Sequence, residues 1–391
     1  MPWREVKPMD EKVLFIADYL RQADSVSGLC KRYGVSRKTG HKWIKRYAEG
    51  GVDALHDTSR RPTHSPERTP FEIRQAVIEL RQSRRVPLGP KKIQALLQER
   101  YSDRRPPSKT TLYKILKAEG LVEPQRHRRR AARHPLPFAP ADSPNEVWSA
   151  DFKGQLPLSN GTWCYPLTVM DHASRYLLAC QGLEGTRGQE SHHVFESLFR
   201  TYGLPRRIRT DNGVPFATTA PGGLSRLAIW WIRLGIYPER IRPGKPQQNG
   251  RHERMHRTLK RAVSSPMARD LPHQQDRLDT FRHDYNDVRP HEGLEQRCPN
   301  AVYQPSTRPY PEHLPEPAYP SHFIVRRVSA NGVAYWRGLR GYTGYLLANE
   351  LIGLEQVQEG QWYAYFGPIR LGVFDERHAG GKTGDYMRLN V

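Results

Sequence analysis

The chain has 391 residues and carries 62 Lys and Arg against 40 Asp and Glu, a net charge of +22; at roughly 100–200 residues per domain, that length implies two to four domains. A hydrophobic fraction of 37%, with 8 Trp, 19 Tyr and 11 Phe, supplies real cores and excludes wholesale disorder, and no run of about 18 apolar residues exists to span a membrane. Four scattered cysteines (Cys30, Cys164, Cys180, Cys298) with no CxxC pair exclude a disulfide framework and a structural zinc site.

Charge is unevenly placed. Residues 1–134 hold 31 Lys and Arg against 15 Asp and Glu, and the remaining 257 hold 31 against 25. The first third is therefore the expected electrostatic footprint for nucleic acid, where cations displace the counterions condensed on phosphates. The opening Met1-Pro-Trp-Arg-Glu has no apolar stretch of a signal peptide, so a cytoplasmic location is expected.

In chain order, residues 10–22 show apolar positions at helical spacing (Val13, Ile16, Ala17, Leu20). Ser25 reads as the cap of a helix from Val26 to Tyr33 that ends at Gly34, and Arg37 opens a third, basic helix. Helix, glycine turn and basic helix form a helix-turn-helix pattern, which places Arg37, Lys38, Thr39 and Lys42 toward major-groove edges and phosphates, with Trp43 and Ile44 inward. A basic helical bundle without a DNA role is the alternative. Residues 58–69 read as a solvated linker, with a minor-groove contact through its Arg60-Arg61-Pro segment as the alternative. A second helical group at 70–83, 89–100 and 108–119 predicts another helix-turn-helix domain over 70–123, and Arg128, Arg129 and Arg130 lie in a basic tether (124–144) expected to track DNA backbone.

From Asn145 the pattern changes to strands at 147–153, 165–170 and 176–180, with a Ser159-Asn160-Gly161 hairpin turn. A helix at 187–201, a strand at 206–210, a helix at 222–234, a short strand at 236–241 and a helix from Gln247 follow. Hairpin strands and then alternating helix and strand predict an α/β layer with a mixed sheet over 145–304. Residues 305–320 read as a Pro-rich linker, and the alternation over 321–391 predicts a small β-barrel.

Three carboxylates stand out in the α/β segment. Asp151 sits mid-strand where Val or Ile is usual, Asp211 ends a strand before Asn212-Gly213, and Glu253 lies in an otherwise cationic helix. Were they to converge, they would form an all-oxygen site suited to Mg²⁺ or Mn²⁺. Singly, Asp211 could cap its Asn-Gly turn and Glu253 could pair with Arg257. His256, Arg257 and Lys260 share the helix face of Glu253 and are expected to hold DNA phosphates. Asp171 reads as a turn residue paired with Ser174 or Arg175.

The blocks WSADFKG, RTDNG and QQNGRHERMHRTLK resemble the three signatures of the retroviral-integrase-like DDE transposases. The order of helix-turn-helix domains, core and a β tail with YFGPIRLG is similar to insertion-sequence transposases of the IS481 group. The resemblance implies a ribonuclease-H-like core in which Asp151, Asp211 and Glu253 are catalytic and bind two divalent ions. It also implies double-stranded DNA partners (terminal inverted repeats and target), a homodimer or higher homo-oligomer on DNA, a bacterial nucleoid location, and 3′-end cleavage followed by strand transfer. A catalytically silent DNA-binding regulator is the alternative function. The 41 residues between Asp211 and Glu253 exceed the family's common spacing, and an extra loop around Thr218 to Gly223 would absorb them.

Overall fold

The computed structural model describes residues 8–57, 68–123, 141–242, 244, 246–378 and 387–389. Two compact units divide it, Met1–Thr69 and Pro70–Val391.

In the first unit α1 (Pro8–Leu20), α2 (Val26–Arg32) and α3 (Arg37–Gly50) pack Phe15, Ile16, Leu29, Cys30, Trp43 and Leu55 into one core. The helix starts follow from the serines. Ser25 Oγ accepts from the Gly28 amide at 3.1 Å and Ser36 Oγ from the Thr39 amide at 3.2 Å, each satisfying a first-turn N–H that has no helical partner. A Cβ on Gly40 would collide with Cys30 Sγ, so glycine there sets how closely α3 crosses α2.

The second unit opens with α4 (Phe71–Gln82), α5 (Pro90–Arg100) and α6 (Lys109–Ala118) around Ile73, Val77, Leu88, Ile93, Leu97 and Leu112. These helices rest on the α/β layer. Arg84 Nε donates to Asp284 Oδ1 at 3.0 Å, buried Arg289 donates to the Val86 carbonyl at 3.3 Å, and Lys91 pairs with Glu292.

The sheet of that layer contains β1 (Val147–Phe152), β2 (Leu156–Pro157), β3 (Trp163–Asp171), β4 (Leu177–Leu183), β5 (Arg207–Thr210) and β6 (Tyr237–Arg240). Its path runs β4, β3, β1, β5, β6, with β2 also paired to β3; β1, β3 and β4 are antiparallel neighbours and β5 and β6 run parallel to β1. One face packs on α7 (Gly188–Tyr202) and α8 (Arg226–Arg233) through Trp148, Ala150, Phe195, Phe199 and Trp231. The other packs on α9 (Gly250–Val263) and α10 (Leu271–His283) through Met170, Leu177, Met255, Leu259 and Leu278. The period of two along β1 therefore sends Trp148 and Ala150 to one layer and Ser149 and Asp151 to the other.

The C-terminal expectation needs correction. Among the described residues, strands β7 (Ile324–Arg327), β8 (Val333–Trp336), β9 (Leu339–Tyr342), β10 (Leu351–Gln358), β11 (Gln361–Phe366), β12 (Ile369–Asp375) and β13 (Met387–Arg388) form two open sheets, β12-β11-β10-β7 and β13-β9-β8, and no closed barrel. Alternation specifies a buried face for each strand but not the hydrogen bonds that would close a ring. Here the apolar faces are covered instead by Leu224, Ala228, Ile229 and Ile232 of the α8 region, which share a core with Trp336, Trp362, Phe366 and Phe374. The Pro-rich stretch before these sheets is a strap laid on the core. Arg308 donates to the carbonyls of Pro205, Leu234 and Gly235 at 2.7, 3.0 and 3.0 Å, and the Tyr319 hydroxyl donates to the Leu351 carbonyl at 2.7 Å. The loop over Thr218 to Gly223 carries a short 3-10 turn, Pro221–Gly223, whose Gly222 lies against Ile369 and Leu371 of β12.

Candidate active site

Asp151 stands on β1 opposite Thr168 of β3, Asp211 follows the last residue of β5, and Glu253 lies in the first turn of α9. The three come from separate elements, yet their charges meet. The Asp151 carboxyl is pushed up to about 7, first by burial, then by the negative charge of Asp211 and to a smaller degree by that of Glu253. Asp211 Oδ1 also accepts from the Gly213 amide at 3.1 Å, so the carboxylate is fixed by its own turn while facing Asp151. Glu253 is exposed, and among the described residues it makes no ion pair with Arg257.

Beneath the carboxylates lies a polar network that a helical wheel drawn from Glu253 does not reveal. His252 and His256, one turn apart on the buried face of α9, each place Nε2 at 2.7 Å from Thr168 Oγ1, which itself donates to the Asp151 carbonyl at 2.9 Å. His252 Nδ1 is 2.9 Å from Ser149 Oγ. The expectation of His256 as a phosphate-holding cation is therefore corrected. It is 6% exposed, and burial holds its pKa down to about 2, so the ring is neutral. Ligand-type atoms of Asp151, His252 and His256 lie within 4.8 Å of one another. The signal that could have exposed this was the interleaving of both histidines with Met255 and Leu259, which marks the packed stripe of α9.

Arg257 and Lys260 are exposed on the flank of Glu253. In the first unit Arg37, Lys38 and Lys42 are exposed, and Lys42 lies 4.9 Å over the Trp43 ring. Thr39 is half-buried with its hydroxyl 2.9 Å from Ser36 Oγ, which ties it to the helix cap. Arg60, Arg61, Arg128, Arg129 and Arg130 lie outside the described residues. Asp171 is the last residue of β3, and its carboxylate holds the turn that follows by accepting from the amides of Asn145 and Ser174, each at 2.7 Å, and from the Ser174 hydroxyl at 2.6 Å. Asn249 precedes α9, but its side chain makes no capping bond there.

No helix of the described residues is long and apolar enough to cross a membrane. The Integrase core domain family matches residues 141–246 and, in a second form, 234–299; the Helix-turn-helix domain family matches 11–63 and the Homeodomain-like domain family 39–116. An insertion element IS407 protein of Burkholderia multivorans is 29% identical over 193 residues, covering 48% of this chain and 66% of that one. An insertion element IS476 protein of Xanthomonas euvesicatoria is 26% identical over 248 residues, covering 63% and 68%. The chain thus spans about two thirds of the length of each of these relatives. Among solved structures, the HTLV-2 integrase catalytic core domain in complex with magnesium shares 15% identity over 41% of this chain and 98% of that one, with a TM-score of 0.33. Two overlapping integrase-core matches across the sheet and α9, preceded by helix-turn-helix matches and accompanied by likeness to insertion-element proteins, make the chain similar to the DDE transposases and integrases.

Proposed function

We propose that the protein is a transposase that binds the terminal inverted repeats of an insertion sequence, cleaves to leave a 3′-OH, and joins that 3′-OH to target DNA. The observation that carries this reading is the meeting of three carboxylates from β1, β5 and α9 at a buried Asp151, whose pKa is raised to about 7 first by burial, then by the charge of Asp211 and least by that of Glu253. Such a surplus of negative charge is costly unless a cation answers it, and carboxylate oxygens suit hard Mg²⁺ or Mn²⁺. Asp151, Asp211 and Glu253 are the residues that would hold the ions. Two bound ions would polarise the scissile phosphodiester and stabilise the attacking and leaving oxygens of an in-line displacement.

The remaining work belongs to the chain. Gly213 fixes the Asp211 carboxylate, Thr168 fixes the backbone at Asp151, and Arg257 and Lys260 offer positive charge to flanking phosphates. The exposed Arg37, Lys38 and Lys42 of α3 supply repeat contacts in the first unit, and the same role is assigned to Arg60, Arg61, Arg128, Arg129 and Arg130. Asp151→Asn, Asp211→Asn and Glu253→Gln are each expected to abolish strand transfer while full-chain binding to a repeat-bearing duplex persists, since an amide ligates Mg²⁺ poorly. Strand transfer surviving in any one of them removes that residue from the site. Repeat binding without metal-dependent nicking in the unaltered chain would favour the silent regulator.

A further inference from the structure

Beyond Arg257 round α9, three arginines gather with no ion pair among the described residues. Arg251 and Arg254 are exposed, and at 3.6 residues per turn they lie roughly 160° and 100° round the helix from Glu253. Arg251 Nη1 donates to the His172 carbonyl at 2.7 Å, which pins its head beside the β3–β4 turn. That turn carries Arg175 at φ +61°, a left-handed conformation that a non-glycine residue holds only when its surroundings impose it. The Arg175 guanidinium lies flat on Gly293, where any Cβ would fall inside it.

Burial of Arg175 is not answered by the protein. Its Nε is buried with no hydrogen-bond partner, and among the described residues none of Arg175, Arg251 and Arg254 forms an ion pair. Burial lowers the pKa of both Arg175 and Arg251, and neighbouring arginine charges lower them further. The acidic groups in range are the Tyr285 phenol, which acts on Arg175, Asp142, whose charge acts on Arg251, and Glu292, already paired with Lys91 of α5. A half-buried guanidinium with an orphaned Nε, set beside two further arginines, favours an anion from outside, and the planar fork matches phosphate oxygens.

The place of the cluster says which phosphate. Gly293, which cradles Arg175, is next in sequence to Glu292, the partner of Lys91, so the arginines adjoin the three-helix domain α4–α6 on one side. On the other they share α9 with Glu253. We propose that Arg175, Arg251 and Arg254 form a phosphate-binding site that grips the backbone of the terminal DNA between α4–α6 and the carboxylates. This site rests on the transposase reading above and adds to it a second point of attachment on the catalytic core, reaching from Arg254, three residues before Arg257, toward the β3–β4 turn.

The test uses the full chain in EDTA, titrated with a labelled duplex taken from the DNA bordering the gene and with a scrambled duplex, across a range of KCl. Arg175→Gln, Arg251→Gln and Arg254→Gln are each expected to weaken binding of the bordering duplex about tenfold and to reduce the slope of log K against log salt by about 0.9. Gly293→Ala keeps every charge but displaces the Arg175 head, and it should lower the slope as Arg175→Gln does. Arg200→Gln, which removes an exposed arginine already held by Glu196 at 2.7 Å, should leave the slope unchanged. Because Arg251 and Arg254 are surface positions, their variants read out binding even if the changes at Arg175 or Gly293 disturb folding. Wild-type slopes in Arg251→Gln and Arg254→Gln, or a loss seen only with scrambled duplex, would overturn the site while leaving the transposase reading intact. Failure of the unaltered chain to prefer the bordering duplex would overturn both.

Discussion

The Nδ1 atom of His256 lies 3.6 Å from Oδ2 of Asp151, too far for a hydrogen bond and close enough to share whatever sits between them. The tautomer follows from Thr168. Its hydroxyl has one proton, given to the Asp151 carbonyl, so the two Nε2 atoms 2.7 Å away must both be donors. His256 Nδ1 then carries a lone pair directed to the carboxylate side, and His252 Nδ1 accepts from Ser149. The network fixes Asp151 through its backbone and presents a neutral nitrogen beside its side chain.

Thr168→Val should accordingly damage more than packing. It removes the hydroxyl but keeps the shape, and it leaves two buried N–H groups unsatisfied at a cost of about 1–3 kcal/mol each. Thermal melting should fall, and Mg²⁺ affinity measured by calorimetry should weaken, because the backbone at Asp151 loses its anchor. Thr168→Ser should restore both. A Val variant with wild-type Mg²⁺ affinity would reduce the network to a stability element.

The raised Asp151 carboxyl predicts an unusual pH dependence in the metal-free protein. Its folded pKa of about 7 lies above the unfolded value near 4, so between those values the native state binds the extra proton. That contribution is present below about pH 4 and lost as pH rises toward 7, the reverse of a carboxylate held by a cation. In EDTA, the melting temperature of the wild type should decline from pH 5 to about 7.5 relative to Asp151→Asn. Mg²⁺ should erase the difference by making the ionised form the stable one. Parallel curves for the two proteins in EDTA would show that the carboxyl is not perturbed.

Much of this was legible in the sequence, and the misses have physical causes. Ser25, Ser36 and Ser108 mark three helix starts because a serine cap acts locally, as does the Asn-Gly turn that holds Asp211. Asp151 was visible because a carboxylate on a buried strand violates the pattern around it. His256 is misplaced by a helix face drawn from Glu253 alone, whereas the stripe of His252, Met255, His256 and Leu259 is the edge that packs on β1 and β3. Helix α10 escaped for want of a clean apolar stripe, although Asp270 caps it by accepting from the His273 amide at 3.1 Å. The β-barrel failed for a long-range reason, since strand closure and the cover from α8 lie beyond any local signal.

The shared core of α8 and the C-terminal sheets makes a prediction that a tethered barrel would not. Phe366→Ala, fully buried among Trp362, Ile232 and their neighbours, should cost about 3–5 kcal/mol. The loss should appear in the transition that melts the α/β layer. A separate low-temperature transition, with the main one unmoved, would show that the C-terminal sheets fold alone.

Lys260 tests the active-site flank of α9. It is exposed, seven residues beyond Glu253, and at about 1.5 Å rise per residue its Cα stands roughly 10 Å along the helix from that of the glutamate. That offset suits a phosphate neighbouring the one under attack, and no carboxylate among the described residues is ion-paired with Lys260. An exposed contact of this kind contributes about 1 kcal/mol or less in surface pairs, so Lys260→Ala should slow strand transfer several-fold without abolishing it. Binding of repeat duplex by the full chain should change less, because the proposed repeat contacts lie mainly in the helix-turn-helix units. Lys260→Arg should keep part of the rate, since a phosphate accepts either cation with different geometry. A solvated helix face with no role would instead leave strand transfer by Lys260→Ala at the wild-type rate in both low and physiological salt, and that result would remove Lys260 from the DNA path.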